Sequence, residues 1–225
     1  MTATVLVIGA SRGIGLEFVR QYAAAGSRVL ATHRAPDGAA RLRELGAEPL
    51  RLDVLDAQDI AALGARLANE RLAVAIVSAG IFGPRTEGLV APQAEAFDAV
   101  MHTNVLASMR LIPVLAPALA AAGGRLAVLS SRMGSVSAMQ SSTGWLYRAS
   151  KAALNAVLKA ASLDLAARGI VCLALHPGWV RTDMGGAGAT VDAADSVAGM
   201  RRLIATAGAA HNGGFFNYDG EPLAW

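Results

Sequence analysis

This 225-residue chain has a single cysteine, Cys172, so it cannot form an internal disulfide, which points to a reducing compartment. Cys172 lies in the apolar run Ile170 to Leu175, where a buried structural thiol is expected. Charge is scarce too: 16% of residues are charged and the net charge is only +3. The basic residues stand singly or in short pairs, Arg41 with Arg43 and Arg201 with Arg202, without interleaved aromatics. They read as solvated helix faces, and no nucleic-acid partner is expected. The four histidines (His33, His102, His176, His211) share no ligand spacing with one another, with Cys172 or with paired carboxylates, so no metal site is expected. The apolar stretch Leu111 to Ala122 is short and contains Pro113 and Pro117, so no membrane span is expected there. The first strand-like run follows no basic prelude and no small-residue cleavage site, and a cytoplasmic location is expected.

Apolar residues, by contrast, make up 54% of the chain, which suits one compact α/β domain over residues 1–225. β-branched and aliphatic runs alternate with amphipathic stretches. Strands are predicted at Thr4 to Ile8, Ser27 to Thr32, Glu48 to Leu52, Leu72 to Ser78, Arg125 to Ser130, Ile170 to Leu175 and Gly214 to Tyr218. Helices are predicted at Ile14 to Ala25, Asp37 to Leu45, Ala57 to Asn69, within Gln93 to Ala121, from Trp145 to Arg168 and at Ala193 to Thr206. Nearly continuous apolar strands are those of a parallel sheet covered on both faces. The expected fold is a doubly wound, mostly parallel seven-stranded sheet with helices on both faces, of Rossmann type. Ligands of such sheets bind beyond the carboxyl ends of the strands, so the residues just after each strand matter most. The glycine-rich stretch Gly185 to Thr190 is expected to be mobile.

After the first strand comes Gly9-Ala10-Ser11-Arg12-Gly13-Ile14-Gly15. Glycines here let the backbone turn sharply and approach a pyrophosphate, and the following helix offers free N–H groups and a positive dipole end. The second strand ends in Ala31-Thr32-His33-Arg34, without the acid that would bind a free ribose 2′-hydroxyl. Arg34 and Arg12 would instead clasp a 2′-phosphate, which points to NADP(H). Asp53-Val54 after the third strand is placed at the adenine edge, and Ser78-Ala79-Gly80 after the fourth provides small residues where the cofactor crosses the sheet.

Tyr147-Arg148-Ala149-Ser150-Lys151 opens the long helix, and residues four apart share a face. A cation beside the Tyr147 phenol is expected to lower a pKa that is otherwise near 10 and bring it towards acid/base strength. Ser131, after the fifth strand, offers a hydroxyl to the same substrate oxygen. Ser130 and Ser135 stand close enough to compete for that role.

These motifs, with Asn104-Val105, Ser130-Ser131 and Pro177-Gly178 followed by Thr182, resemble those of the short-chain dehydrogenase/reductase family over essentially the whole chain. The segment Ser130 to Ser135 and the terminal Phe215 to Pro222 resemble C-factor-like and sniffer-like carbonyl reductases. The resemblance implies hydride transfer between nicotinamide and a carbonyl or alcohol carbon. It implies a tetrad of Asn104, Ser131, Tyr147 and Lys151, with Asn104 holding a water that relays protons through Lys151. It implies that Lys151 bonds the nicotinamide ribose and that the Pro177 to Thr182 loop, with Gly178 and Val180, clasps the carboxamide end. It further implies a homodimer or homotetramer built through the long helices.

Ile8 and Ser78 depart from the family pattern at turn-supporting positions, and Ser131 and Tyr147 are about three residues farther apart than usual. An insertion near Gln140 to Trp145 would bulge outward. The short segment after Thr182 implies an open or small pocket, and Met133, Met139, Trp145, Trp179 and Met184 are candidate walls for an apolar or aromatic carbonyl substrate. Two rival readings remain: a catalytically weak NADP-binding protein of signalling or redox sensing, and the same fold running epimerisation or dehydration.

Overall fold

The computed structural model describes residues 2–86 and 88–225. Strand β1 (Thr4–Ile8) leads into α1 (Gly13–Ala24), followed by β2 (Arg28–His33), α2 (Pro36–Glu44), β3 (Glu48–Arg51) and α3 (Ala57–Leu67). The second half runs β4 (Leu72–Val77), α4 (Ala94–Met101), α5 (Ala107–Ala120), β5 (Arg125–Leu129), α6 (Trp145–Leu165), β6 (Val171–His176), α7 (Ala193–Thr206) and β7 (Gly214–Asn217). The strands form one sheet in the order β3-β2-β1-β4-β5-β6-β7, and every neighbouring pair is parallel. Strand limits differ from the sequence reading by a residue or two, and Ser78 and Ser130 fall just beyond their strands, where loops begin.

Both faces of the sheet are covered, which explains the missing polar alternation. Leu6 and Ile8 of β1 pack into a core with Leu63 of α3, Leu111 and Leu115 of α5, and Leu154 and Leu158 of α6. Val5 and Val7, pointing the other way, pack with Phe18 and Tyr22 of α1, Leu42 of α2, and Val197 and Met200 of α7. Local chemistry starts the helices: the Asp56 carboxylate accepts from the N–H groups of Gln58 and Asp59 at the head of α3, and Pro36 occupies the first turn of α2.

α4 and α5 join through a π-helical turn, His102–Leu106, and make one helix of 27 residues from Ala94 to Ala120. This corrects the argument from shortness. By length and apolarity the helix passes the test for a membrane span, and Pro113 and Pro117 do not end it. More than half of its most apolar 18-residue window is buried in the molecule, because the apolar face lies on the sheet through Leu111, Ile112, Leu115 and Leu119.

The chain leaves β1 for one side of the sheet and β4 for the other, so a crevice opens at the carboxyl ends of these neighbours. There the backbone approaches itself closely. Gly9 has φ +80°, and a Cβ on Gly15 would lie 2.1 Å from the Gly9 carbonyl oxygen. The Gly9 N–H is held by the Thr32 hydroxyl at 2.9 Å, and Ser78 N–H donates to the Ile8 carbonyl at 2.8 Å. The two departures from the family pattern therefore leave the ladder between β1 and β4 intact.

Gly15→Ala is expected to destabilise the fold by about 1–3 kcal/mol, since α1 must retreat from the Gly9 carbonyl. The measurement is the urea midpoint at unchanged slope. Parental stability would show that the helix does not need this approach.

Candidate active site

Two cavities meet at the carboxyl edge of the sheet. One, of about 610 Å³, runs along the glycine loop, and the other, of about 770 Å³, lies beside it over β5 and β6. Ile14, Ser130, Tyr147, Pro177, Thr182 and Met184 line both.

Gly9, Ser11, Arg12, Gly13 and Ile14 line the glycine-loop cleft, with Arg34 after β2, Asp53 and Val54 after β3, and Ser78, Ala79 and Gly80 after β4. Lys151, Tyr147, Pro177 and Thr182 complete its far end. Three expected cofactor residues sit elsewhere. Gly15 lies behind the loop against Gly9, and Gly178 and Val180 face the larger cavity. Gly13 has φ +53°, a conformation that favours glycine, and a Cβ on Gly80 would lie 3.3 Å from the Asn104 side-chain oxygen. A cleft kept clear in this way, entered by the N-terminus of α1, fits a dinucleotide.

Arg12 spans the mouth of this cleft to Asp183, 3.1 Å away, with both side chains largely exposed. Arg41 was read from the sequence as part of a solvated helix face. It lines the cleft instead and donates to the Ser11 carbonyl at 3.1 Å. The cleft thus has three guanidinium groups, Arg12, Arg34 and Arg41, near the end of β2. Only the packing of α2 against the glycine loop reveals the third.

At the other end, Tyr147 and Lys151 share a face of α6, with Nζ 5.7 Å from the centre of the phenol ring. Lys151 is 4% exposed and donates to the Leu129 carbonyl at 2.8 Å. Burial lowers its pKa to about 8. The Tyr147 phenol behaves opposite to the sequence expectation: burial pushes it up to about 12, against a weaker downward pull from a hydrogen bond with Ser131. The reason is geometric. The ammonium is bonded to the last carbonyl of β5, and the phenol is stacked on Phe82 with ring centres 4.5 Å apart. Burial therefore keeps the phenol protonated.

The three serines separate cleanly. The Ser130 hydroxyl donates to Asn155 and the Ser135 hydroxyl to the Trp225 carbonyl oxygen, while the Ser131 hydroxyl is the one that draws the Tyr147 pKa down. Ser131 also accepts from Met133 N–H at the head of a 3₁₀ turn, Arg132–Gly134. That turn rests on α6 so tightly that a Cβ on Gly134 would lie 2.7 Å from the Lys151 backbone carbon.

Asn104 sits in the π-helical turn and is 1% exposed. Its side chain accepts from Ile81 N–H at 2.9 Å and donates to the Ile81 carbonyl and the Ser150 hydroxyl, each at 2.9 Å. One amide hydrogen thereby clamps the loop that carries Phe82 beneath Tyr147, and the other ties that loop to α6 through Ser150. Neither Phe82 nor Ser150 carried a sequence signal, because their roles arise from contacts across the fold.

Of the expected walls, Met133, Trp179 and Met184 line the larger cavity, whereas Met139 and Trp145 do not. The Trp145 indole donates instead to the Val90 carbonyl. The inserted segment does not bulge away: Ala138, Gln140, Ser141 and Thr143 form one wall, and the cavity is not small. Where mobility was expected, Trp179 Nε1 donates to the Gly185 carbonyl at 2.8 Å and Arg181 Nε to that of Ala189 at 3.0 Å.

Comparison with known proteins bears on this geometry. The family model described as short chain dehydrogenase matches residues 3–191. C-signal from Myxococcus xanthus is 45% identical over 123 residues, which is 54% of this chain and 74% of that protein. The crystal structure of NADPH-bound carbonyl reductase from chicken fatty liver is similar at a TM-score of 0.91 and 32% identity, covering 100% of this chain and 99% of that one. Carbonyl reductase Sniffer of D. melanogaster is similar at a TM-score of 0.92 and 30% identity, covering 100% of both chains.

The buried ammonium has a consequence for stability. Between pH 8 and 10.5 the unfolded chain keeps the Lys151 proton and the folded chain releases it, so this group makes stability rise with pH across that window. Against Lys151→Met, the stability of the parent should climb by up to roughly 3 kcal/mol over the window in urea unfolding. A constant difference between the two proteins would contradict the burial.

Proposed function

The chain belongs to the short chain dehydrogenase family, and from that premise we propose that it is an NADPH-dependent carbonyl reductase acting on a small molecule. The observation that carries this reading is the junction of the two cavities at Tyr147, a buried, protonated phenol bonded to Ser131. Gly9, Ser11, Gly13 and Ile14 receive the pyrophosphate, and Asp53 and Val54 border the adenine. Arg12, Arg34 and Arg41 receive the 2′-phosphate, which supports NADP(H) over NAD(H), as does the NADPH held by the similar chicken enzyme. Ser78, Ala79, Gly80, Pro177 and Thr182 border the path towards the nicotinamide, and Gly178 and Val180 close the loop from the side of the larger cavity.

A nicotinamide held in the cleft beside Tyr147 and Lys151 would supply the hydride that the carbonyl carbon receives. The side chains do the rest. Ser131 and Tyr147 hydrogen-bond the carbonyl oxygen as negative charge develops on it, and the Tyr147 hydroxyl gives it the proton that completes the alcohol. Lys151, still charged near neutral pH, faces the cofactor cleft and favours recovery of the phenol's proton. Asn104 acts as a positioning residue through Ile81 and Ser150.

One cysteine, buried and with its thiol pushed up to about 11, supports a cytoplasmic, reducing location. Exposed Phe97, Met109 and Leu163 on α4, α5 and α6 support a homodimer or homotetramer through those helices. The match to C-signal favours a second reading, an NADP-binding signalling protein with little turnover. Tight NADPH binding without reduction of any aldehyde, ketone or diketone would select it.

Tyr147→Phe should lower turnover by about 10²-fold or more while NADPH affinity stays within about twofold. Equal losses in both, by steady-state kinetics and calorimetry, would make the phenol structural. Replacing Arg34 and Arg41 together by Gln should cut kcat/KM for NADPH by at least about tenfold, with little change for NADH. An unchanged NADPH preference would remove the 2′-phosphate assignment.

A further inference from the structure

The larger cavity has an electrostatic character that the sequence reading of an apolar pocket did not anticipate. Arg85, Arg132 and Arg148 all line it, and no aspartate or glutamate does among the described residues. None of the three lines the glycine-loop cleft, so they are not part of the 2′-phosphate site.

No carboxylate is bonded to any of the three among the described residues. On the outer surface Arg20, Arg28, Arg51 and Arg66 are matched with carboxylates. Arg85 instead donates to the Met184 carbonyl at 2.7 Å and lies 4.9 Å from the centre of the Phe82 ring, the same ring that stacks on Tyr147. Arg148 donates only its Nε, to the Thr143 carbonyl at 2.9 Å, which leaves its terminal nitrogens available. The Arg132 guanidinium has neither hydrogen bond nor ion pair among the described residues. Arg132 and Arg148 line the same cavity as Ser131 and Tyr147, so their charges share it with the point where a carbonyl oxygen would be held.

His176, at the end of β6, lines the same cavity, and its Nδ1 is buried with no partner among the described residues. Burial and the nearby Arg132 charge push it down to about 4, with Asp219 pulling weakly the other way. The imidazole is therefore neutral and has an unmet hydrogen-bonding atom beside a cavity rich in guanidinium groups. Buried polar atoms without partners are costly, and a ligand group is the partner such an atom would take.

We propose that this cavity selects carbonyl compounds that carry a carboxylate, with Arg132 as the principal anion-binding residue, Arg85 and Arg148 flanking it, and His176 bonding a polar atom of the same substrate. The proposal rests on the carbonyl-reductase reading of the adjoining cleft. Guanidinium groups bind carboxylates through two parallel hydrogen bonds, and such bonds are stronger than neutral ones, above all away from bulk water. Met133, Trp179 and Met184 supply apolar walls for the stretch between carbonyl and carboxylate. The substrate class that fits is a short, amphiphilic oxo-acid with an apolar spacer.

The test compares 4-carboxybenzaldehyde with its neutral counterpart, methyl 4-formylbenzoate, using the full chain and NADPH. A kcat/KM at least about tenfold higher for the acid is expected, and Arg132→Gln should shrink that ratio by at least about tenfold. Arg168→Gln, a change outside both cavities, should leave the ratio as it is. Equal turnover of acid and ester, or an unchanged ratio in Arg132→Gln, would overturn the proposal. If neither aldehyde is reduced, the reductase reading fails, and calorimetry with terephthalate then decides the anion site separately. Binding weakened at least about tenfold by Arg132→Gln would uphold the site, and binding that is absent or unaffected would reject it.

Discussion

The Lys151 ammonium is buried at the far end of the glycine-loop cleft with its hydrogen bond made to the Leu129 carbonyl, 2.8 Å away, and the helix that carries it cannot shift without breaking that bond. Burying a charge against a single dipole is costly in free energy, and burial is the reason the ammonium holds its proton less firmly than in water. The surroundings compensate. α6 is anchored along its length by Leu154, Leu158 and Leu165 in the core, and the 3₁₀ turn after β5 rests directly on its backbone at Lys151. The position of Tyr147, one helical turn earlier, follows from that anchoring, and Ser131 is brought to it by the same turn. Stability has been given up locally where the proposed chemistry places a buried cation.

A second constraint is the holding of loops that begin where strands end. Thr32 secures Gly9 after β1, Asn104 secures Ile81 after β4, and Asn155 with Ser130 secures the start of the segment after β5. Each uses a buried side chain with its hydrogen bonds made, so the loops gain rigidity without orphaned polar atoms. The π-helical turn matters here because it places Asn104 where it can reach both the loop and α6, and such turns recur at functional sites.

Charge is distributed with the same economy. A net charge of +3 implies only a modest overall field, yet seven arginines line the two cavities, with Arg12, Arg34, Arg41 and Arg181 in one and Arg85, Arg132 and Arg148 in the other. Guanidinium groups concentrated at concave surfaces attract anions more effectively than the same charges spread over a convex one. Only Asp53 and Asp183 add carboxylates to these linings among the described residues, and Asp183 is already paired with Arg12.

The amino-acid sequence by itself determined the layered fold, the strand order of motifs and the glycine cradle, because these depend on periodicity and on backbone room, which are local properties. The Tyr147 and Lys151 pair could likewise be read from helical spacing alone. Tertiary structure decided what spacing cannot: that Lys151 bonds a β5 carbonyl, so that burial raises the pKa of the phenol instead of the ammonium lowering it. It also decided which of three neighbouring serines meets Tyr147, that Gly178 and Val180 face the larger cavity, and that Arg41 and Arg132 face cavities instead of solvent alone. Each of these outcomes depends on the direction of a side chain relative to elements distant in the chain, and only packing supplies that information.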